Sequence, residues 1–129
     1  MSDEEIQAAL LAARAAHPAP DFRRRVEEIY RAGGPRQRRV VLRTLVLFEQ
    51  PRQFLGLALE AAQSMVGEIF EAIACDNPYP SRYFSDSSFH RMVVRALSLG
   101  LSPCRIVGLE LRLAAASGGR MDRFTAMTR

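Results

Sequence analysis

The residues with the most chemical potential lie in one stretch, Glu71 to His90, which reads EAIACDNPYPSRYFSDSSFH. It holds two prolines, two tyrosines, two phenylalanines, the only Asn and one of the two His. Glu71 and Asp76 bracket the predicted end of a helix, and two carboxylates near one loop can act as acid and base. A carboxylate at a helix C-terminus is electrostatically unfavourable, which singles out Asp76. Beside Asn77-Pro78 it also suits a plain turn, and Glu71 suits a solvated or Arg-paired state. His90 sits one residue past Phe89, at the edge of an apolar stripe, where it could serve as a base or a ligand. A boundary histidine bonded to a loop carbonyl fits better, because no second His or paired carboxylate has helical spacing to it. Tyr79, Tyr83 and Phe84 line a pocket or pin the loop to the helices. The Tyr79–Pro80 pair suits a cis peptide bond.

These residues give a candidate ligand-binding set of Glu71, Asn77, Tyr79, Tyr83 and His90. The loop Asp76 to Phe84 is expected to fold back over the following helix. That brings His90 near Glu71 and Cys75, with Asn77 and Tyr79 facing one cleft stiffened by Pro78 and Pro80. The competing expectation is a closed clasp, with every polar group bonded internally. No catalytic residue, metal ligand or cofactor is assigned, because there is no phosphate-binding glycine loop, zinc spacing or nucleophile elbow. Cys104 falls in a predicted first helical turn, where a thiolate is favoured. A buried, inert cysteine is the commoner case.

The elements that position this stretch are helices. Ser2 and Glu5 form a capping box ahead of Ile6, Leu10, Leu11 and Ala13. A second helix starts at the N-cap Asp21, carries Phe22, Val26, Ile29 and Tyr30, and ends at Gly33-Gly34 as a left-handed C-cap would end it. Pro35 opens a central third helix with Val41, Leu42, Leu45, Val46 and Phe48 inward and Arg36, Arg39 and Arg43 opposite. Pro51 forces a corner and can itself open the next helix. One long fourth helix follows, with a polar face from Gln53 to Glu71 and a buried side including Phe54, Ala58, Ala61, Met65, Ile69, Phe70 and Ile73. Gly67 weakens it by about 1 kcal/mol relative to Ala, which allows a kink near Ser64 to Gly67, but the unbroken period favours one helix. A fifth helix starts at Ser85 or Asp86 and ends at Gly100. Ser102-Pro103 opens a sixth, apolar through Ile106, Val107 and Leu109 and reaching towards Ala115. The tail suits a short helix with Met121, Phe124 and Met127 inward. No segment alternates with period two. The expected fold is therefore a single all-α domain over residues 1–129, with about six to seven helices in antiparallel pairs, HEAT-like or an irregular bundle.

Composition narrows the class. A chain of 129 residues with 48% hydrophobic and 25% charged residues is that of a soluble globular domain. The net charge is +4, and all 18 basic residues are Arg. Arg offers a bidentate fork for phosphate, but a modest charge with dispersed clusters reads as a solvated face. Nucleic acid is not expected as a partner. Phe54 to Cys75 carries Glu60, Gln63, Glu68 and Glu71, which excludes membrane insertion. MSDEEIQ lacks the apolar core of a signal peptide, so a cytoplasmic protein is expected.

The segment FEAIACDNPYPSRYF, Phe70 to Phe84, resembles the EboA domain family of bacterial metabolite-traffic factors. FHRMVVRALSLGLSPCRIVGL, VLRTLVLFEQPRQFLGLALEA and RMDRFTAM are similar to further family segments, and the resemblance runs from about Arg31 to Leu109. The chain departs from the family's usual residues at Gln63, Ser64 and Met65, at Tyr83, and at His90 and Arg91. The resemblance implies an all-helical, HEAT-like fold. It also implies a role alongside proteins that make or export a secondary metabolite, and no known reaction. The first reading is a non-enzymatic helical domain that binds a small metabolite or a pathway protein. A small-molecule enzyme centred on NPYP is the second reading, and an Arg-mediated nucleic-acid binder the third.

Overall fold

The computed structural model describes Ala8 and residues 19–115. The predicted first helix, Ala8 apart, and the predicted tail helix lie outside the described residues. Within them the chain is all-α. Its seven helices are α1 (Ala19–Ala32), α2 (Pro35–Thr44), α3 (Leu55–Ala62), α4 (Gly67–Ala74), α5 (Tyr79–Tyr83), α6 (Asp86–Ser98) and α7 (Leu109–Ala115). Single 3-10 turns at Leu45–Leu47, Pro51–Phe54 and Pro103–Arg105 link them.

The short helix α4 is the hub. Ile69, Phe70, Ala72, Ile73 and Ala74 are all buried, and α4 packs on α2, α3, α5 and α6. Its main partner is α2, which buries Val40, Val41 and Leu42. Helix α1 covers α2 with the stripe Phe22, Val26 and Tyr30, spaced by four. Phe22 meets Phe48 edge-on at 5.1 Å and Phe54 at 6.1 Å, so one aromatic cluster closes the corner around Pro51. Gln50 adopts a left-handed φ of 49° to make that corner, and Pro51 opens the 3-10 turn that follows it.

The structure corrects the sequence reading of several boundaries. Helix α1 begins two residues before Asp21, which lies in its first turn. Gly33 and Gly34 do not take a left-handed φ. Gly33 is instead needed for space, since a Cβ there would lie 2.8 Å from the Cβ of Gln37. The predicted long fourth helix is broken between Ala62 and Gly67, and Met65 is 92% exposed rather than buried. The predicted sixth helix is also divided. Ser102 does cap it, accepting from the Cys104 amide, but the turn ends after Arg105. Gly108, with φ 76°, then restarts the chain as α7. A Cβ on Gly108 would collide with the Ser81 side chain, so both conformation and space exclude other residues there. The expected caps of α6 do form, with Ser85 Oγ accepting from the Ser88 amide and Gly100 at φ 81°.

Three arginines explain how these helices stop. A helix leaves its last carbonyls without amide partners. Arg38 donates from Nε to the carbonyls of Tyr30 and Gly33, both at 3.0 Å, and from its terminal nitrogen to that of Arg31. Arg95 donates to Ala62 O at 3.0 Å and to Ser64 O, across the break between α3 and α4. Arg112 donates to Ser81 O and Phe84 O at the end of α5. Each guanidinium also covers an aromatic ring: Tyr30 at 5.0 Å, Phe70 at 4.5 Å and Phe89 at 4.8 Å. A planar fork satisfies two carbonyls and a ring face together, which an ammonium cannot do.

Arg95→Lys should therefore lower the unfolding free energy by about 1–3 kcal/mol, the worth of one charge-assisted hydrogen bond. Urea denaturation measures this. An unchanged midpoint would mean that charge alone, without the fork, holds the break.

Candidate functional site

The NPYP segment is built as a clasp. Asn77 is 2% exposed, the one buried polar residue among those described. Its amide nitrogen donates to Leu42 O at 3.1 Å and to Ala72 O at 3.0 Å. Both carbonyls lie in the last turn of a helix, α2 and α4 respectively. Ala72 O would ordinarily accept from the Asp76 amide, four residues on. Asp76 instead turns left-handed, with φ 55°, and gives its N–H to Arg105 O at 2.8 Å. Asn77 Oδ1 accepts the Tyr79 amide at 3.0 Å, which starts α5. One side chain thus ends two helices and begins a third.

Tyr79 completes the clasp. It is fully buried, and its hydroxyl donates to Pro51 O at 2.6 Å. Burial pushes the phenol pKa well above its ordinary value. The Tyr79 ring packs against Tyr83 at 4.7 Å and Phe84 at 6.4 Å. No peptide bond among the described residues is cis, so Tyr79–Pro80 is trans, contrary to the sequence expectation. The predicted loop also contains α5. Pro80 sits in its first turn, where the missing N–H has no helical partner to lose.

The remaining candidates separate. Glu71 and Asp76 do come together, but on a cation: Arg105 donates to Glu71 Oε1 at 3.0 Å and to Asp76 Oδ2 at 2.8 Å. That guanidinium removes the cost of two carboxylates at the end of α4. Cys75 is buried, and burial pushes its thiol pKa up, so the thiolate is disfavoured. Cys104 is exposed, against the expectation of a buried thiol. Tyr83 is half-buried beside Tyr79, with the Arg52 guanidinium 5.9 Å from its ring centre. His90 is half-buried in the second turn of α6. No side-chain polar atom buried among the described residues lacks a hydrogen-bond partner. No group of His, Cys, Asp and Glu among them could hold a metal ion.

Open space lies elsewhere, on both sides of the break between α3 and α4. A cleft of about 420 Å³ runs between the end of α3 and α6. Leu59, Ala62 and Met92 give it an apolar lining, and Gln63, Ser88, Arg91 and Arg95 give it a polar one. A second depression of about 290 Å³ shares Gln63 and reaches α1 through Tyr30 and Arg31 and α2 through Arg38. There Arg31 is paired with Glu60 at 3.2 Å, and Arg38 is committed to the end of α1. Sequence reasoning missed the cleft because it exists only where the predicted long helix breaks. The available signal was Gln63-Ser64-Met65 and His90-Arg91, where this chain departs from the pattern it otherwise resembles.

Asn77→Ala should destabilise the domain by about 2–5 kcal/mol, since it strands two buried carbonyls and an amide. Tyr79→Phe should cost about 1–2 kcal/mol for one lost hydrogen bond. Tyr79 also sets an alkaline limit. Its folded pKa is raised above the ordinary phenol value of 10.0, so the stabilising neutral form is fully populated below that pH. Stability is then lost as pH rises above it, because the unfolded chain ionises first. Denaturant midpoints across that range should fall more steeply in the parent than in Tyr79→Phe. Parallel slopes would remove Tyr79 from the account.

No curated protein and no solved structure gives a significant match to the chain. The model of one family, described as "Metabolite traffic protein EboA", matches residues 2–125. That span includes the whole clasp, the break and the cleft, and it extends beyond both ends of the stretch Arg31 to Leu109. The chain belongs to the EboA family.

Proposed function

We propose that this chain is a non-enzymatic helical domain that binds a small metabolite in the cleft between α3 and α6, within its family's metabolite-traffic role. The observation that carries this reading is the cleft itself. Its volume of about 420 Å³ falls inside the usual range for small-molecule sites, roughly 300–1,000 Å³, and it combines an apolar lining with a few polar groups. The family's description as a metabolite traffic protein supports a metabolite-handling role. A binding role also suits the chemistry at hand. The two carboxylates near NPYP are both engaged by Arg105, which leaves no acid–base pair set apart by environment. The buried thiol is held in its unreactive form.

The same reading ranks nucleic acid last. Arg23, Arg25, Arg31 and Arg39 pair with glutamates, and Arg38, Arg95 and Arg112 are directed at carbonyls. No helix among the described residues is long and apolar enough to cross a membrane.

Blocking the cleft tests the proposal. Gln63 is exposed and lines its mouth, so Gln63→Trp should fill space with little effect on stability, within about 0.5 kcal/mol for a surface position. Mass spectrometry of native protein from a producing cell should find a metabolite on the parent and lose it on the variant. Equal recovery from both proteins would move the site away from this cleft.

A further inference from the structure

We infer that the ligand of the cleft between α3 and α6 is an organic anion with an apolar body, and that Arg91 selects for its charge. The inference rests on the reading of this cleft as the metabolite site. Its lining contains two guanidinium groups and, among the described residues, no carboxylate. Arg91 and Arg95 stand four residues apart on α6, so they share one face of the helix. Arg95 is held in place by Ala62 O and Ser64 O and by its stacking on Phe70. It contributes a fixed positive charge at the back of the cleft. Arg91 is exposed and makes no ion pair or hydrogen bond among the described residues, so its five N–H donors are available to a ligand.

The other polar groups agree with this sign. The Ser88 hydroxyl accepts a hydrogen bond from Ser85 Oγ at 3.1 Å, which leaves its own proton to donate into the cleft. Gln63 supplies an amide with two further donors. The neighbouring depression differs on the deciding point, because Glu60 neutralises Arg31 there. Leu59, Ala62 and the buried Met92 would receive the apolar part of the ligand, which excludes a fully hydrated inorganic ion as the natural occupant. A carboxylate and a phosphate monoester meet the same requirement, since a guanidinium binds either through paired N–H donors.

Isothermal titration of the full chain with octanoate, octyl phosphate and octanol tests the inference. At least one anion should bind, and octanol should bind about tenfold more weakly or worse, as expected for loss of one charge-assisted contact. Arg91→Gln should weaken the anion about tenfold without shifting the thermal midpoint. Raised salt should weaken anion binding in the parent. A preference for octanoate or for octyl phosphate would identify the headgroup, and either preference supports the inference. Octanol binding as tightly as the anions, an unchanged affinity in Arg91→Gln, or no binding by either anion would overturn it. Should a neutral metabolite still be expelled by Gln63→Trp, the charge assignment fails while the cleft stands as the binding site.

Discussion

Three helix ends converge on the amide of Asn77. Helices α2 and α4 each present a last-turn carbonyl, Leu42 O and Ala72 O, to the buried Asn77 side chain. A buried carbonyl without a donor costs about 1–3 kcal/mol. The Asn77 nitrogen supplies both donors, and its oxygen accepts the amide that opens α5. Only an amide side chain combines two donors and an acceptor at this length. Asp76 makes the arrangement possible by turning left-handed and handing its own N–H to Arg105. The packing of α4 on α2, the largest contact in the fold, depends on this exchange.

The arginines extend the same logic to the periphery. The helices are short, and short helices have a high share of unpaired terminal carbonyls. Arg38, Arg95 and Arg112 cover three such ends, and Arg105 neutralises the acidic end of α4. Eighteen Arg and no Lys is therefore more than a record of composition. At three positions the fork itself does what an ammonium cannot, by bridging two carbonyls while lying on a ring. The sequence reading treated these charges as solvated, which holds for exposed Arg24, Arg36 and Arg43 and fails for the three caps.

What could be read from the letters was local. Helix periods, Pro35 and Pro51 as openers, Ser85 as a cap and Gly100 as a stop depend on neighbours within one turn. The two prolines, Ser85 and Gly100 are each found where their residue type predicts. The break after Ala62 was only partly legible, because the side chain that satisfies its free carbonyls, Arg95, lies 33 residues away in sequence. Gly67 is a local weak point, but the period of apolar residues continues across the break and outweighs it. The NPYP stretch was legible as important but ambiguous in kind. Paired prolines, aromatics and a lone Asn suit a site or a clasp. The choice turns on whether Asn77 meets solvent or two carbonyls, and only the packing of α2 on α4 decides that. The cleft was hidden for the same reason as the break that forms it.

The NPYP stretch and the open space are thus separate places in the fold. Polar residues of the NPYP stretch hold helix ends, and the broken helix leaves an open, cationic cleft beside Gln63 and Arg91. The most direct measurement is a crystal structure of the chain carrying its co-purified metabolite. This account predicts ligand density between the end of α3 and α6, with the Asn77 amide still on the carbonyls of Leu42 and Ala72. Density seated among Tyr79, Tyr83 and His90, with those two hydrogen bonds opened, would contradict it.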